Sequence, residues 1–587
     1  MTELFIDNKP VMLPAGLDLK VKQQNPLITK NGTFTLDLTL SLQERNNSIL
    51  YRHIERLQTA AAFNNRKALL ISNGHIIING TEAYISNTNE EVKIQLLSGN
   101  SELNYFIGSD AYISSLDLGK ETDLSNEHFN IAIKSYFPYV NFACPMVKIG
   151  NVIYNKCYNK KEDFSLFPVY EFSNRAIQPY LLAMIEKILT AMEYLITENE
   201  AANDKFLSRI FILNKDVSGD YNKILPGWTV KEFLEECEKL MNIIFVIDNT
   251  NRNVRILCAD SHKETGTYTI NNVLDSFERT TVDDNLRVSY NNVCYDFPNS
   301  TEYKYQTIED DQMNAANIIE VKSYSELLDK FTDSDGVFLG DELIEEQLKR
   351  LNIWHVKDTD NYYIPERSKT RIDNLPGDLP GDFDTKAYLL KVNTYKSYIS
   401  DKDKDYLKLS FFPCVFTRLA YALRSGSVQF TIYTAIPYLP GADDSDDDPE
   451  AKTIKQLIEN GLNDFNKSKA KVALCAVTPA TALNKDYTTF TDYTQTHGFM
   501  KRDLPVLDIG SFRLDGKGGM VQHYYKTNQN IDTSKEYTIK FITNTMPDIQ
   551  AQFILANKLF ICKELEYRIM NEGIHPEVTG TFYAVVN

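Results

Sequence analysis

The chain has 587 residues, more than one hydrophobic core can hold, so about three to five domains are expected. Its formal net charge is −18, from 62 Lys and Arg against 80 Asp and Glu, which argues against broad nucleic-acid binding by phosphate neutralisation. It leaves room for a local basic patch, or for an acidic wall that DNA passes without sticking. Tyr (34) and Phe (31) are abundant and Trp is scarce (2), a composition that suits strands and ordinary cores.

In chain order, the opening Met1–Pro10 has neither a basic n-region nor a long apolar h-region, so no signal peptide is expected. Thr33–Leu40 alternates apolar and polar residues as a half-buried strand does, with the turn signal Asn31-Gly32 before it. Ala68–Ile71, Asn73-Gly74 and His75–Ile78 read as a hairpin, and Asn79-Gly80 as another turn. Glu91–Leu97 alternates again, and a short helix is expected between Ser48 and Gln58. Residues 1–105 are therefore expected to form a small N-terminal β-domain, a barrel or a sandwich, followed by a mixed, aromatic-rich connecting region at 106–169.

From Gln178 to Leu195 the apolar residues fall at helical spacing. Thr229-Val-Lys-Glu232 is a capping box, and Val230, Phe233, Leu234, Cys237, Leu240 and Met241 form one apolar stripe behind it. Asn242 is expected to end that helix. Ile243–Ile247 and Val254–Cys258 should then pair around the turn Asp248–Asn253, inside an α/β domain of residues 170–297. Residues 298–385 read as a polar helical and loop insertion, with short helices at Ser323–Phe331 and Asp341–Leu351. The tandem turns of Leu375–Asp382 mark its end.

Residues 386–587 read as a C-terminal β-rich domain. Strands are expected at Ala387–Val392, Leu407–Phe412 and Val428–Tyr433, then an exposed acidic loop at 443–450 and a helix at Thr453–Leu462. Met546-Pro547-Asp548 is expected to open a helix-like or docking segment. Phe553–Cys562 reads as paired strands around Asn557-Lys558, Lys563–Ile569 as an alternating strand, and Thr579–Val586 as the closing strand. The fold class is thus α+β, β-rich and multidomain.

The search for chemistry assigns no catalytic, cofactor-binding or metal-binding residue. Phosphate-cradle, HExxH and GxSxG motifs are absent from the sequence. His53, His75, His128, His262, His355, His497, His523 and His575 are scattered, with no two at the i, i+4 spacing of a zinc helix. Asp333-Ser-Asp335-Gly336 and Asp443–Asp448 lack the spaced ligands of a calcium loop. Cys144, Cys157, Cys237, Cys258, Cys294, Cys414, Cys475 and Cys562 form no CxxC pair and read as small buried hydrophobes. No run approaches the roughly 18 apolar residues of a membrane span, so no membrane anchor is expected.

Three sets of stretches resemble the tail-hub, or baseplate-hub, proteins of phages and prophages, especially of the Bacteroidetes type. The first set is Leu4–Val11 with Thr33–Leu40 and Asn47–Leu50. The second is Gly227–Leu234 with Ile243–Val246, and the third is Phe560–Tyr567 with Gly580–Tyr583. The resemblance implies a non-enzymatic structural subunit with tail-tube-like β-barrel domains, about 1–105 and 386–587, flanking the α/β domain. It further implies a homotrimeric ring that touches tail-tube or adaptor proteins, holds central spike or fibre proteins and lets DNA pass. The place implied is the virion tail, assembled in the cytoplasm of the bacterial host. The rival readings are a receptor- or glycan-binding tail protein and a cell-surface glycan hydrolase.

Overall fold

The computed structural model describes residues 1–29, 31–58, 66–107, 111–133, 135–155, 157–158, 169–170, 174–248, 251–258, 266–274, 277–281, 293–295, 307–308, 318–331, 352–371, 382–394, 407–425, 428–439, 471–478, 489–490, 512, 520–525 and 531–585. The expected helices Asp341–Leu351 and Thr453–Leu462, the acidic loop 443–450 and the Asp333–Gly336 run lie outside them. So do Leu375–Gly381.

The first and last segments of the chain build one sheet. Eleven of its 14 strands follow a path that runs Lys9–Val11, Thr2–Ile6, Arg66–Ser72, His75–Asn87, Glu91–Ser98, Thr33–Thr35, Asp18–Gln24, Lys558–Met570, Gly573–Val585, Ile531–Ile542 and Glu278–Thr281, and Leu38–Ser41, Gln552–Leu555 and Thr267–Thr269 pair beside it. The join is antiparallel, from Asp18 opposite Met570 to Gln24 opposite Glu564. Its alternation follows from sequence: Leu19 and Val21 point inward beside Leu565, Tyr567 and Ile569, all buried in one core. Lys20 and Lys22 point outward to Glu566 and Glu564, at 3.3 and 2.8 Å. Asn25, fully buried, locks the end of the join by donating to the carbonyls of Cys562 (2.9 Å) and Ile549 (3.3 Å).

The two ends, expected as separate β-domains, thus share a sheet and a core. The expected β-barrels do not form: among the described residues none of the sheets closes on itself. One end of the long sheet is Lys9–Val11, where Pro10 has no N–H to offer a further strand.

A second core carries the α/β part. Helices Leu181–Ala191 and Val230–Met241 accompany a small sheet ordered Leu195–Asn199, Asn253–Cys258, Ile243–Ile247. Both members of the Thr229–Glu232 capping box are formed, and Asn242 ends the helix in the left-handed conformation at φ 49°. The expected helix from Gln178 to Leu195 is shorter, because Leu195 already begins a strand. This core also takes in Phe129, Phe137 and Phe142 from the mixed region and Phe411–Cys414 and Val472–Ala476 from the C-terminal third. Trp228 stacks on Phe411 at 5.1 Å, tying the capped helix to that third.

Within 298–385, read as helices and loops, the structure has strands as well. Ile318–Val321, Ile353–Val356, Asn361–Arg371, Asp382–Thr394 and Thr307–Ile308 form a five-stranded sheet, beside which helix Tyr324–Phe331 packs. Val321, Leu327, Phe331, Trp354, Val356, Tyr363 and Leu389 make its small separate core. Ile318–Val321 and Ile353–Val356 have only four residues each and Asn361–Arg371 is largely polar, so little apolar periodicity marks these strands in the sequence.

Local signals succeed and fail for visible reasons. Asn73-Gly74 forms the expected hairpin turn, with both residues at positive φ (52° and 77°). Ala556 and Asn557 do the same at 49° and 62° between Gln552–Leu555 and the following strand. Asn79-Gly80 does not turn: the strand His75–Asn87 runs through it. A Cβ on Gly80 would sit 2.0 Å from the Leu97 carbonyl oxygen, so the glycine permits close strand approach. The helix expected between Ser48 and Gln58 spans only Arg45–Leu50, since Arg52 and His53 lie at positive φ. Met546–Asp548 forms no helix.

Gly80→Val should separate these strands and cost about 3 kcal/mol or more. Gly16→Ala, with nothing within 4 Å of the added Cβ, should change stability by less than about 0.5 kcal/mol. Urea unfolding of both variants checks the pair; equal effects would remove the packing role assigned to Gly80.

Candidate functional site

The residues singled out in the sequence fall into two places. Leu4–Val11, the Thr33–Leu40 strands and Asn47–Leu50 join Phe560–Tyr567 and Gly580–Tyr583 in the end-to-end sheet and its core. Gly227–Leu234 and Ile243–Val246 lie in the α/β part. Asn47 is a fixed point of the first group. Its side chain accepts from the Met12 amide and donates to the Met12 and Ser41 carbonyls, each at 3.0 Å, pinning the helix Arg45–Leu50 against two strand ends.

Two buried charge clusters support this surface. Beneath the N-terminal half of the sheet, Arg66 meets Glu82 through Nε at 2.6 Å and Nη2 at 2.7 Å. Tyr51 donates to the same carboxylate at 2.5 Å, and the guanidinium lies 4.5 Å from the Tyr51 ring centroid. Burial pushes the Glu82 carboxyl above its ordinary pKa, and Arg66 opposes that shift. In the α/β core, Glu236, 1% exposed, accepts from the Ser410 amide at 2.7 Å and from Lys239 at 3.2 Å. Each cluster is occupied by its own internal partners, as structural ion pairs are.

The seam between the long sheet and the α/β part is built from three kinds of contact. Leu27, Val246 and Leu257 form a small apolar core. Asn100 uses its side-chain amide like a strand, donating to the Phe245 carbonyl and accepting from the Ile247 amide at 2.9 Å, which covers the edge of Ile243–Ile247. Arg255 donates to Gln550 at 2.6 Å across the seam.

Beside that contact opens a polar cleft of about 370 Å³. Its polar lining includes Gln23, Thr197, Asp248, Asn253, Arg255, Asp548 and Gln550. The sequence reading missed this cleft and the Asn100 clamp, because their parts lie hundreds of residues apart and no local pattern marks them.

Of the histidines, His128 lies 3.6 Å from Asp123 and 3.7 Å from Glu121, and His355 lies 2.7 Å from Asp360. Among the described residues no group of three or more His, Cys, Asp or Glu converges as metal ligands. Cys144, Cys237, Cys414, Cys475 and Cys562 are buried, and burial raises the thiol pKa of Cys237 and Cys562 well above the ordinary value. No described helix is long and apolar enough to cross a membrane.

No family model matches the chain, and no curated protein matches it at a significant level. Solved structures similar to it include the 43 kDa tail protein of prophage MuSo2 from Shewanella oneidensis. That structure is 8% identical, with 99% of this chain and 96% of that chain covered, at a TM-score of 0.30. A tail protein from Neisseria meningitidis MC58 is 7% identical, with 99% and 95% covered, at a TM-score of 0.29. TM-scores this low do not establish a shared fold.

Arg66→Ala leaves the Glu82 carboxylate buried without its cation, and the loss should reach about 3–5 kcal/mol near neutral pH. The sign follows from the raised pKa. A carboxyl whose folded pKa lies above its unfolded value supports folding best when protonated, below about 4.3, and loses that support as pH rises through the folded value. Removing Arg66 raises the folded pKa further, so the defect should shrink toward acid and grow toward neutrality. Denaturant unfolding at several pH values tests this; a pH-independent defect would mean that Arg66 acts only by packing on Tyr51.

Proposed function

We propose that this chain is a structural subunit of a bacteriophage or prophage tail, acting as a tail hub. The carrying observation is that the hub-like stretches Leu4–Val11 and Thr33–Leu40, at one end of the sequence, and Phe560–Tyr567 and Gly580–Tyr583, at the other, fold into one sheet. A chain whose ends are tied together presents a fixed outer face for docking to neighbours. Two of its buried carboxylates, Glu82 and Glu236, are held by internal partners, Arg66 and the Ser410 amide, which suits a mechanical role.

In this reading the subunits form a cyclic homotrimer, a closed assembly of the usual kind. The ring joins tail-tube or adaptor proteins to the central spike or fibre proteins and lets DNA pass through. Its place is the virion tail, after assembly in the bacterial host cytoplasm, and it performs no catalysis.

A second reading, a receptor- or glycan-binding tail protein, is favoured by the cleft lined by Gln23, Asn253, Arg255 and Gln550, whose amides and guanidinium suit hydroxyl-rich ligands.

Light scattering on the purified full-length chain should give the mass of a trimer, and electron microscopy should show closed rings. A monomer at high concentration, both alone and with tail-tube protein added, would overturn the hub reading. Saccharide binding on a glycan array that is lost in Arg255→Ala would move the assignment to the second.

A further inference from the structure

Two cysteines lie opposite each other in the sheet of the C-terminal third. Phe411–Pro413 runs parallel to Val472–Thr478, with Phe411 opposite Val472, Phe412 opposite Ala473 and Pro413 opposite Leu474. The ladder continues one residue further, because the Cys414 amide donates to the Leu474 carbonyl at 2.8 Å. In a parallel pair that bond sets Cys414 opposite Cys475. An earlier bond of the same ladder, from the Val472 amide to the Ser410 carbonyl at 3.1 Å, keeps the same register. Pro413 falls between them, where the strand's N–H points away from Val472–Thr478, so its missing donor costs this ladder nothing.

Opposite residues on adjacent strands put their side chains on the same face of the sheet. Cys414 and Cys475 are 0% and 1% exposed, and both belong to the α/β core. Adjacent strands lie about 4.7–4.9 Å apart, inside the roughly 4.4–6.8 Å between Cα atoms that a disulfide spans. On its other side Cys475 is opposite Phe211, whose ring offers the sulfur no covalent partner. Cys562, equally buried, is opposite Phe582 across its own strand pair.

We propose that Cys414 and Cys475, both thiols in the structure, form an oxidation site that closes to a disulfide when the chain meets a small external disulfide such as oxidised glutathione. One cysteine thiolate attacks a sulfur of the external disulfide, releasing one thiolate and leaving a mixed disulfide. The second cysteine then displaces the other half. The two chain thiols lose two protons and two electrons, and the external disulfide takes them up as two thiols. Burial sets the pace: the first attack requires a local opening of the sheet, so the pair stays reduced in a reducing cytoplasm and closes slowly outside it. The bond ties the Phe411–Cys414 segment to the strand Val472–Thr478 and restricts the unfolded chain between 414 and 475.

The full-length chain, kept with dithiothreitol or with oxidised glutathione, at no urea and at several concentrations below its unfolding transition, tests the site. Mass spectrometry of alkylated, non-reduced tryptic digests should find Leu409–Arg418 joined to Val472–Lys485 only after oxidation, two hydrogens lighter than the pair of thiol peptides. The link should form faster as urea promotes local opening, while Cys562 is still recovered as a thiol. The urea midpoint of the oxidised chain should rise above that of the reduced chain, and Cys414→Ala should show neither link nor rise. Absence of the linked peptide at every urea concentration would overturn the proposal. So would a link from Cys414 to another cysteine, or an equal rise of the midpoint in Cys414→Ala.

Discussion

The antiparallel pairing of Asp18–Gln24 with Lys558–Met570 is the constraint on which the rest of the structure depends. Closing a loop of this length costs on the order of 6 kcal/mol in chain entropy. Burying Leu19, Val21, Leu565, Tyr567 and Ile569 returns roughly 1.5–3 kcal/mol for each fully buried side chain, so the apolar face outweighs the closure. The outward Lys20, Lys22, Glu564 and Glu566 add little energy at a surface, but they discourage a one-residue slip that would turn the apolar set to solvent.

With the ends fastened, the middle of the chain must leave the sheet and return to it. The second core is accordingly drawn from distant segments: Phe129, Trp228, Phe411 and Leu474 meet in it although they span most of the sequence. Glu236 shows how such a core is held. It lies on the capped helix and accepts from the backbone amide of Ser410, which ties that helix to the C-terminal third. Contacts so far apart in sequence make for slow folding and a strong dependence on the whole chain being present.

The polar groups follow the same division. Where a charge is buried, its partner comes from a neighbouring strand, a helix or a packed ring, as for Arg66, Glu82 and Tyr51. Where two bodies meet, contacts are sparser: the Asn100 clamp, the Arg255–Gln550 bond and the Glu102–Arg252 ion pair hold a seam with only a small apolar core. A scaffold with strong cores and a polar seam suits a part that transmits load between neighbours and performs no chemistry of its own, which is the proposed role.

The sequence by itself determined the local elements with strong short-range physics. The capping box at Thr229–Glu232, the αL stop at Asn242, the Asn73-Gly74 turn and the alternation in Lys563–Ile569 each arise from groups a few residues apart. The absence of known catalytic motifs was likewise legible. Tertiary structure alone decided that the two β-rich ends are one sheet, that Gly80 is a point of close approach, that residues 318–394 hold a sheet with its own core, and that Asn100, Glu102, Arg252 and Arg255 meet at a seam. The reason is physical: periodicity and capping report which face of an element is apolar, but the partner that covers the face is chosen by pairings across hundreds of residues, which no local pattern encodes.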